Sequence, residues 1–271
     1  MVLLGIFALL ERGNPQPLLP GRILADRNRA AAYATMMLIP AAMFTMFFFL
    51  TLVLQNVMGE SPMHTGLMFL PFSVAMIIAA TQVSKLVQRF DPGKLAGIGA
   101  VIASVAVFGF SRMPYDDTLP GLGVDINYWT HVFPFIVLMP IGMALVFIPT
   151  TMSVLHGVSP RDSGIASGVL NTMQQVGGAL GLATLSTIAF NAQSDKLTQL
   201  CGDLAQAGTR CSPTDPTLFG VSFTHGATVG FMVASGMLLV GGLISFAFNR
   251  IKHDDLASGN HPGNAPAPAA H

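Results

Sequence analysis

The chain has 271 residues, of which 52% are hydrophobic and only 10% charged. A soluble globular domain carries about a quarter charged residues, so this composition excludes one and points to a polytopic membrane protein. Its 13 basic and 13 acidic residues cancel, giving no electrostatic case for a nucleic-acid partner, and none is expected.

Met1 to Leu10 is apolar but only half the roughly 20 residues a spanning helix needs, and it reads as the remnant of a preceding transmembrane helix. It has no basic leader and no small-residue cleavage site, so it does not read as a secretion signal. Residues 11–30 form a polar loop, in which Pro15, Pro17 and Pro20 exclude a regular helix and Arg12, Arg22, Arg27 and Arg29 supply positive charge.

Six apolar runs follow, at about 31–57, 62–86, 94–112, 132–154, 164–190 and 224–248. When the connections are sorted alternately, 10 of the 13 basic residues fall on the side that includes Lys85, Arg89, Lys94 and Arg161. That side is assigned to the cytoplasm, with the C-terminus on it. The fold class expected is an all-α membrane protein, a six-transmembrane-helix half-bundle over 31–248 with the truncated helix before it. The tail 249–271, rich in Pro, Ala and Gly, is expected to be disordered and cytoplasmic.

Prolines at Pro40, Pro71, Pro134, Pro140 and Pro149 interrupt the spans. They either bend helices around a cavity or shape packing. On the exterior, Tyr128 and Trp129 suit the headgroup belt. Residues 191–222 form the longest loop and hold both cysteines; a Cys201–Cys211 disulfide is expected in an oxidising compartment. His64, His131 and His225, near outer ends of spans, are expected to be hydrogen-bonded interfacial residues.

The fifth run is the most informative. Ser167, Asn171, Gln174, Gly178 and Gly181 recur at helical three-and-four spacing, and Gln175 adds a third amide. Such a stripe needs protein or water beside it: it either ties the helix to its neighbours or lines a solute path. Gly164 with Gly168, and Gly177 with Gly181, form small-xxx-small pairs for close helix packing. Enzyme chemistry is not expected, since no catalytic or metal-ligating spacing occurs and two cysteines are too few for a thiolate site. No cofactor and no metal are expected. No Asp, Glu, Lys or Arg lies deep in a span.

The stretch Ser163 to Leu182 resembles the penultimate helix of the fourteen-helix drug:proton antiporters of the major facilitator superfamily, the QacA/EmrB-like branch. Pro17 to Pro20, Phe47 to Thr51, Leu52 to Gly59 and Gly66 to Pro71 are similar to the same family. The resemblance implies the C-terminal half of a proton-coupled exporter of hydrophobic or cationic drugs. Such a half is embedded in the plasma (inner) membrane, multi-pass, and handles protons through the N-terminal half.

It also implies that the first, second, fourth and fifth spans face a cavity. The substrate candidates are Phe44, Phe48, Thr51 and Gln55 from the first span and Asn171, Gln174 and Gln175 from the fifth, with aromatic faces for apolar and cationic compounds. The loop Ser84 to Lys94 takes the place of the family's short basic loop, with Arg89 and Lys94 as gating candidates. Its Asp91-Pro92-Gly93 departs from the usual form. Export of one endogenous metabolite, or a non-transporting fragment or interaction subunit, stands as the alternative.

Overall fold

The computed structural model describes residues 27–248 apart from 120, 157, 159–161 and 213–214. The remnant 1–10, most of the loop 11–30 and the tail 249–271 lie outside the described residues. Helix α1 spans Arg27–Leu52 and ends in a π-helical turn, Val53–Val57. After it come α2 (Pro62–Met68), α3 (Leu70–Leu86) and α4 (Pro92–Phe110). A hairpin follows, β1 (Tyr115–Asp116) against β2 (Gly123–Val124), and then a π-helical turn, Tyr128–Val132. The order closes with α5 (Phe133–Leu155), α6 (Ser163–Gln206) and α7 (Pro216–Phe248). The fold is that of an all-α membrane protein.

Local sequence explains the breaks. Proline has no N–H to give and suits the first turn of a helix, and Pro62, Pro71, Pro92 and Pro216 all stand there. Pro71 thus divides the second run into α2 and α3 rather than kinking one helix. Pro40 and the pair Pro140 and Pro149 stay inside α1 and α5. The carbonyl of Pro149 accepts the Ser153 hydroxyl at 2.9 Å, an example of a side chain serving the backbone inside an apolar helix.

Five helical stretches among the described residues are both long and apolar enough to cross a membrane: 27–57, 62–86, 92–110, 128–155 and 216–248. Helix α6 is not among them, although its first half was expected as a span. Three amides and several glycines dilute its apolar character, and it is supported by protein instead. Its Gly177, Gly181, Leu185 and Ala189 are buried against α1 and α7.

Helix α1 is the axis of the bundle, touching α5, α6 and α7, and α4 lies between α5 and α7. The main core runs through these five helices and contains Met46, Phe49, Leu50, Val107, Phe110, Met139, Met143 and Phe231. Small residues let α4 and α5 approach closely: a methyl on Gly99 of α4 would stand 2.7 Å from the Gly142 carbonyl oxygen of α5. Hydroxyls stitch α7 to its neighbours, Thr35 to the Gly241 carbonyl at 3.2 Å and Ser104 to the Ser235 carbonyl at 2.9 Å. Helix α3 is different. It rests principally on α5, and only 17% of its apolar window is buried against 56% for α1, so it forms an edge of the bundle.

The two ends of the bundle differ. At one end the start of α1 meets the end of α5 and the start of α6, through Arg29 to the His156 carbonyl at 3.4 Å and Tyr33 to the Ala166 carbonyl at 3.3 Å. At the other end the expected loop 191–222 is mostly helix. Helix α6 has 44 residues, or about 66 Å, which is about twice the hydrocarbon thickness of a bilayer. The extension persists because it has a core of its own. Leu200 packs with Leu218 and Val221 of α7, and Tyr115, Leu122 and Val124 of the hairpin region close over them.

Candidate functional site

Two side-chain stripes approach each other where α1 crosses α6. On α1, Phe44, Phe48, Thr51 and Gln55 follow four-and-three spacing; Phe48 is exposed, the other three half-buried. On α6, Asn171 and Gln175 are exposed and Gln174 is half-buried. The stripes join at one contact, where the Phe44 ring fills the space a side chain on Gly178 would need. One turn away, the Gln174 amide donates to the Met36 sulfur at 3.5 Å. The Thr51 hydroxyl is turned back onto the Phe47 carbonyl at 2.6 Å, and Gln55 lies in the π-helical turn that ends the helix.

The remaining phenylalanines divide by function. Phe49 is fully buried and packs on Phe190, Phe223 and Phe231. Phe47 instead reaches the edge helix, with ring centroids 5.3 Å from Phe69 and 5.0 Å from Phe72. Sequence reading missed Phe47 and Met36, because neither is polar and nothing in their spacing separates them from core residues.

The glycine pairs also divide. Side chains on Gly177 and Gly181 would run into the Met37 backbone and Ala41, so this pair sets the α1–α6 approach. At the other pair, Gly164 and Gly168, no atom lies within 4 Å of where a Cβ would stand on either. Both are exposed at the start of α6, on the face that continues into Asn171 and Gln175, and the space beside them is open among the described residues.

In the basic loop, Lys94 bonds Asp91 at 2.7 Å, while Arg89 is exposed. Cys201 and Cys211 are joined as a disulfide, Cα atoms 5.1 Å apart, tying the end of α6 to the segment before α7. The three outer-end histidines all have partners. His64 pairs with Glu60, His131 Nδ1 accepts the Asn127 N–H at 3.0 Å, and His225 Nδ1 meets the Tyr115 hydroxyl at 2.8 Å. Beside His225, Lys196 is nearly buried and bonds Asp117 of the hairpin, with Gln199 Oε1 at 3.3 Å. The Lys196 bond holds the Asp117 carboxyl below its usual range. Sequence patterning gives no sign of this pair, since its members are far apart in the chain.

The arrangement offers rings, a thioether and amides, which bind by dispersion and hydrogen bonding; it holds no activated nucleophile or acid–base pair. Among the described residues no His, Cys, Asp or Glu group is placed to hold a metal ion.

The profile of the Major Facilitator Superfamily matches residues 7–182, and the chain belongs to that family of membrane transporters. Its relatives include the puromycin resistance protein pur8 of Streptomyces alboniger, 32% identical over 91% of this chain and 45% of that protein. The lincomycin resistance protein of Streptomyces lincolnensis is 34% identical over 68% of this chain and 36% of its own length. The tetracenomycin C resistance and export protein of Streptomyces glaucescens is 26% identical over 97% and 51%. The chain thus spans about half the length of the curated relatives it matches, or less.

Proposed function

We propose that these helices form one wall of a proton-coupled exporter of hydrophobic or cationic drugs, of the fourteen-helix QacA/EmrB-like kind. The other wall is supplied by further helices of the transporter. The observation that carries this reading is the amide stripe of α6, whose Asn171 and Gln175 are exposed where it joins the Phe44, Phe48, Thr51 and Gln55 face of α1. An uncovered amide in hydrocarbon is costly, so the stripe belongs against protein or a water-filled path. The exposed flank of α3 at the edge of the bundle favours the same arrangement.

The chemistry of the stripe suits amphipathic solutes, and the relatives are named for puromycin, lincomycin and tetracenomycin C. Because no Asp, Glu, Lys or Arg stands deep in the described spans, proton handling is assigned to the opposite wall. The end bearing Lys85, Arg89 and Lys94 lies in the cytoplasm, with the C-terminus, and the membrane is the plasma (inner) membrane.

The test is efflux of ethidium or puromycin from energised drug-sensitive bacteria. The chain alone is expected to give none. With the complementary half of a relative it is expected to give efflux that a protonophore abolishes. Replacing two polar contacts at about 1 kcal/mol each predicts a loss of about tenfold or more for the Asn171→Leu, Gln174→Leu double variant. Efflux by the chain alone, or a double variant equal to the parent, overturns the proposal.

A further inference from the structure

A hollow of about 160 Å³ lies between α6 and α7, with α1 as its floor. Leu38 and Ala41 of α1, Leu180 and Thr184 of α6 and Met237 of α7 line it. It opens on the far flank of α6 from the amides, since Leu180 follows Asn171 by about two and a half helical turns. The two flanks differ in chemistry. Asn171 and Gln175 leave amides uncovered on one, whereas the exposed hydroxyls of the other, Thr184 and Thr187, donate within α6 to the Leu180 and Ala183 carbonyls at 2.8 and 2.9 Å. The other exposed groups bordering the hollow, Val176 and Leu180 on α6 and Val240 on α7, are apolar. A face whose hydroxyls are satisfied by their own helix suits hydrocarbon, and one with uncovered amides does not. The amide flank therefore turns to protein or water, and this one to lipid.

The hollow is the narrow end of a furrow. Toward the hairpin, α6 and α7 close on each other: a Cβ on Gly226 of α7 would stand 2.5 Å from the Ala189 carbonyl oxygen of α6. Toward the start of α1 they part. Helix α6 passes to the side of Tyr33, which reaches the Ala166 carbonyl, and α7 stays on the side of Thr35, bonded to the Gly241 carbonyl. Between them one strip of α1 is left open, with Arg27 and Ala30 exposed and Ala34 and Leu38 half-buried along a single helix face. From Arg27 to Leu38 the strip runs about 16 Å at a rise of about 1.5 Å per residue. A single leaflet is about as deep, half of a hydrocarbon core of roughly 30 Å.

A cation stands at the wide end of the furrow. Arg27, in the first turn of α1, belongs to the open strip itself, and its guanidinium lies 5.0 Å from the centre of the Phe248 ring at the end of α7. The ring holds the guanidinium by its face and leaves the N–H donors at the edge for an anion. Arg29 is turned instead to the His156 carbonyl, and among the described residues no carboxylate pairs with Arg27. Long basic side chains at a helix end reach from the hydrocarbon to the headgroup level, where a phosphate lies.

We propose that the furrow between α6 and α7 is a binding site for one anionic phospholipid, an acyl chain lying on the open strip of α1 and the headgroup phosphate on Arg27. An apolar strip one leaflet long that ends in a guanidinium matches a lipid and not a soluble anion. The narrow end, at about 160 Å³, admits a chain but not a helix about 10 Å across. The site is independent of what the transporter exports.

The experiment is native mass spectrometry of the full chain, extracted in mild detergent and titrated with phosphatidylglycerol or phosphatidylcholine. One phosphatidylglycerol is expected to be retained in preference to phosphatidylcholine. Arg27→Gln is expected to weaken phosphatidylglycerol binding about fivefold, the equivalent of about 1 kcal/mol for one basic residue near the headgroups, and to leave phosphatidylcholine unchanged. Lys85→Gln, at the same end of the bundle but on α3, is the charge control and is expected to match the parent. Ala34→Phe, which fills the floor of the furrow, is expected to lower retention of both lipids. A second measurement needs no variant: phosphatidylglycerol carrying a diazirine at the end of one acyl chain is expected to label the parent at Leu38, Leu180 or Met237. Equal retention of the two lipids by the parent overturns the proposal, as do equal losses in Arg27→Gln and Lys85→Gln, undiminished retention in Ala34→Phe, or label confined to the Asn171 flank of α6.

Discussion

Gly177 and Gly178 are neighbours in the chain with different tasks: the first lets the α1 backbone approach, the second makes room for Phe44. Their consequence is steric. Gly177→Leu forces a side chain into the Met37 backbone, and overpacking of this kind costs about 1–3 kcal/mol or more. Thermal unfolding in detergent is expected to show a lowered midpoint for Gly177→Leu and an unchanged one for Gly164→Leu, whose site is open. Equal effects would contradict the packing assignment. Before the structure, the two glycine pairs of α6 were indistinguishable. Spacing shows that small residues share a face, but only the path of the neighbouring helix decides which pair is used. The amides were legible for the opposite reason, because three such groups in an apolar run announce themselves by chemistry alone.

Among the elements, five of the six apolar runs coincide with helices long and apolar enough to cross a membrane, and the fifth run, diluted by its amides and glycines, does not. What they hid was everything outside the bilayer. The extension of α6 to Gln206 and the early start of α7 at Pro216 were expected as loop, because polar helix and polar loop look alike when hydropathy is the guide. Their support is tertiary: the Leu200, Leu218 and Val221 cluster, the disulfide, and the bond from Lys196 to Asp117. That bond makes the hairpin sensitive to acid. The Asp117 carboxyl is held below its usual 3.8, so its contribution is complete above that value and is lost as pH falls through the lower folded value. Hydrogen exchange of the Tyr115, Asp116, Gly123 and Val124 amides, corrected for intrinsic pH dependence, is expected to show full protection at pH 6 and loss of it as pH falls below about 3.8. Lys196→Gln is expected to be less protected at both ends. Unchanged protection across the range would remove the latch.

At the scale of the whole molecule, the bundle is lopsided. Five helices share a core around α1, while α3 stands at the edge and α6 presents uncovered amides. A membrane protein gains little from burying apolar surface against other apolar surface, so polar groups left in the open are the clearest sign of where protein or water must lie. That is why the stripe on α6 and the aromatic face of α1 carry the account of transport, and the large apolar flanks do not.

The most direct test of that claim uses the disulfide, which leaves no free cysteine among the described residues, and the chain has only these two. A single thiol introduced as Asn171→Cys is expected to react with a water-soluble maleimide in the assembled transporter and to be protected by an exported drug. One introduced as Leu180→Cys, on the opposite side of α6, is expected to stay unreactive toward the same reagent. An unreactive thiol at 171, or equal labelling at both positions, would contradict the assignment of the stripe to a solute path.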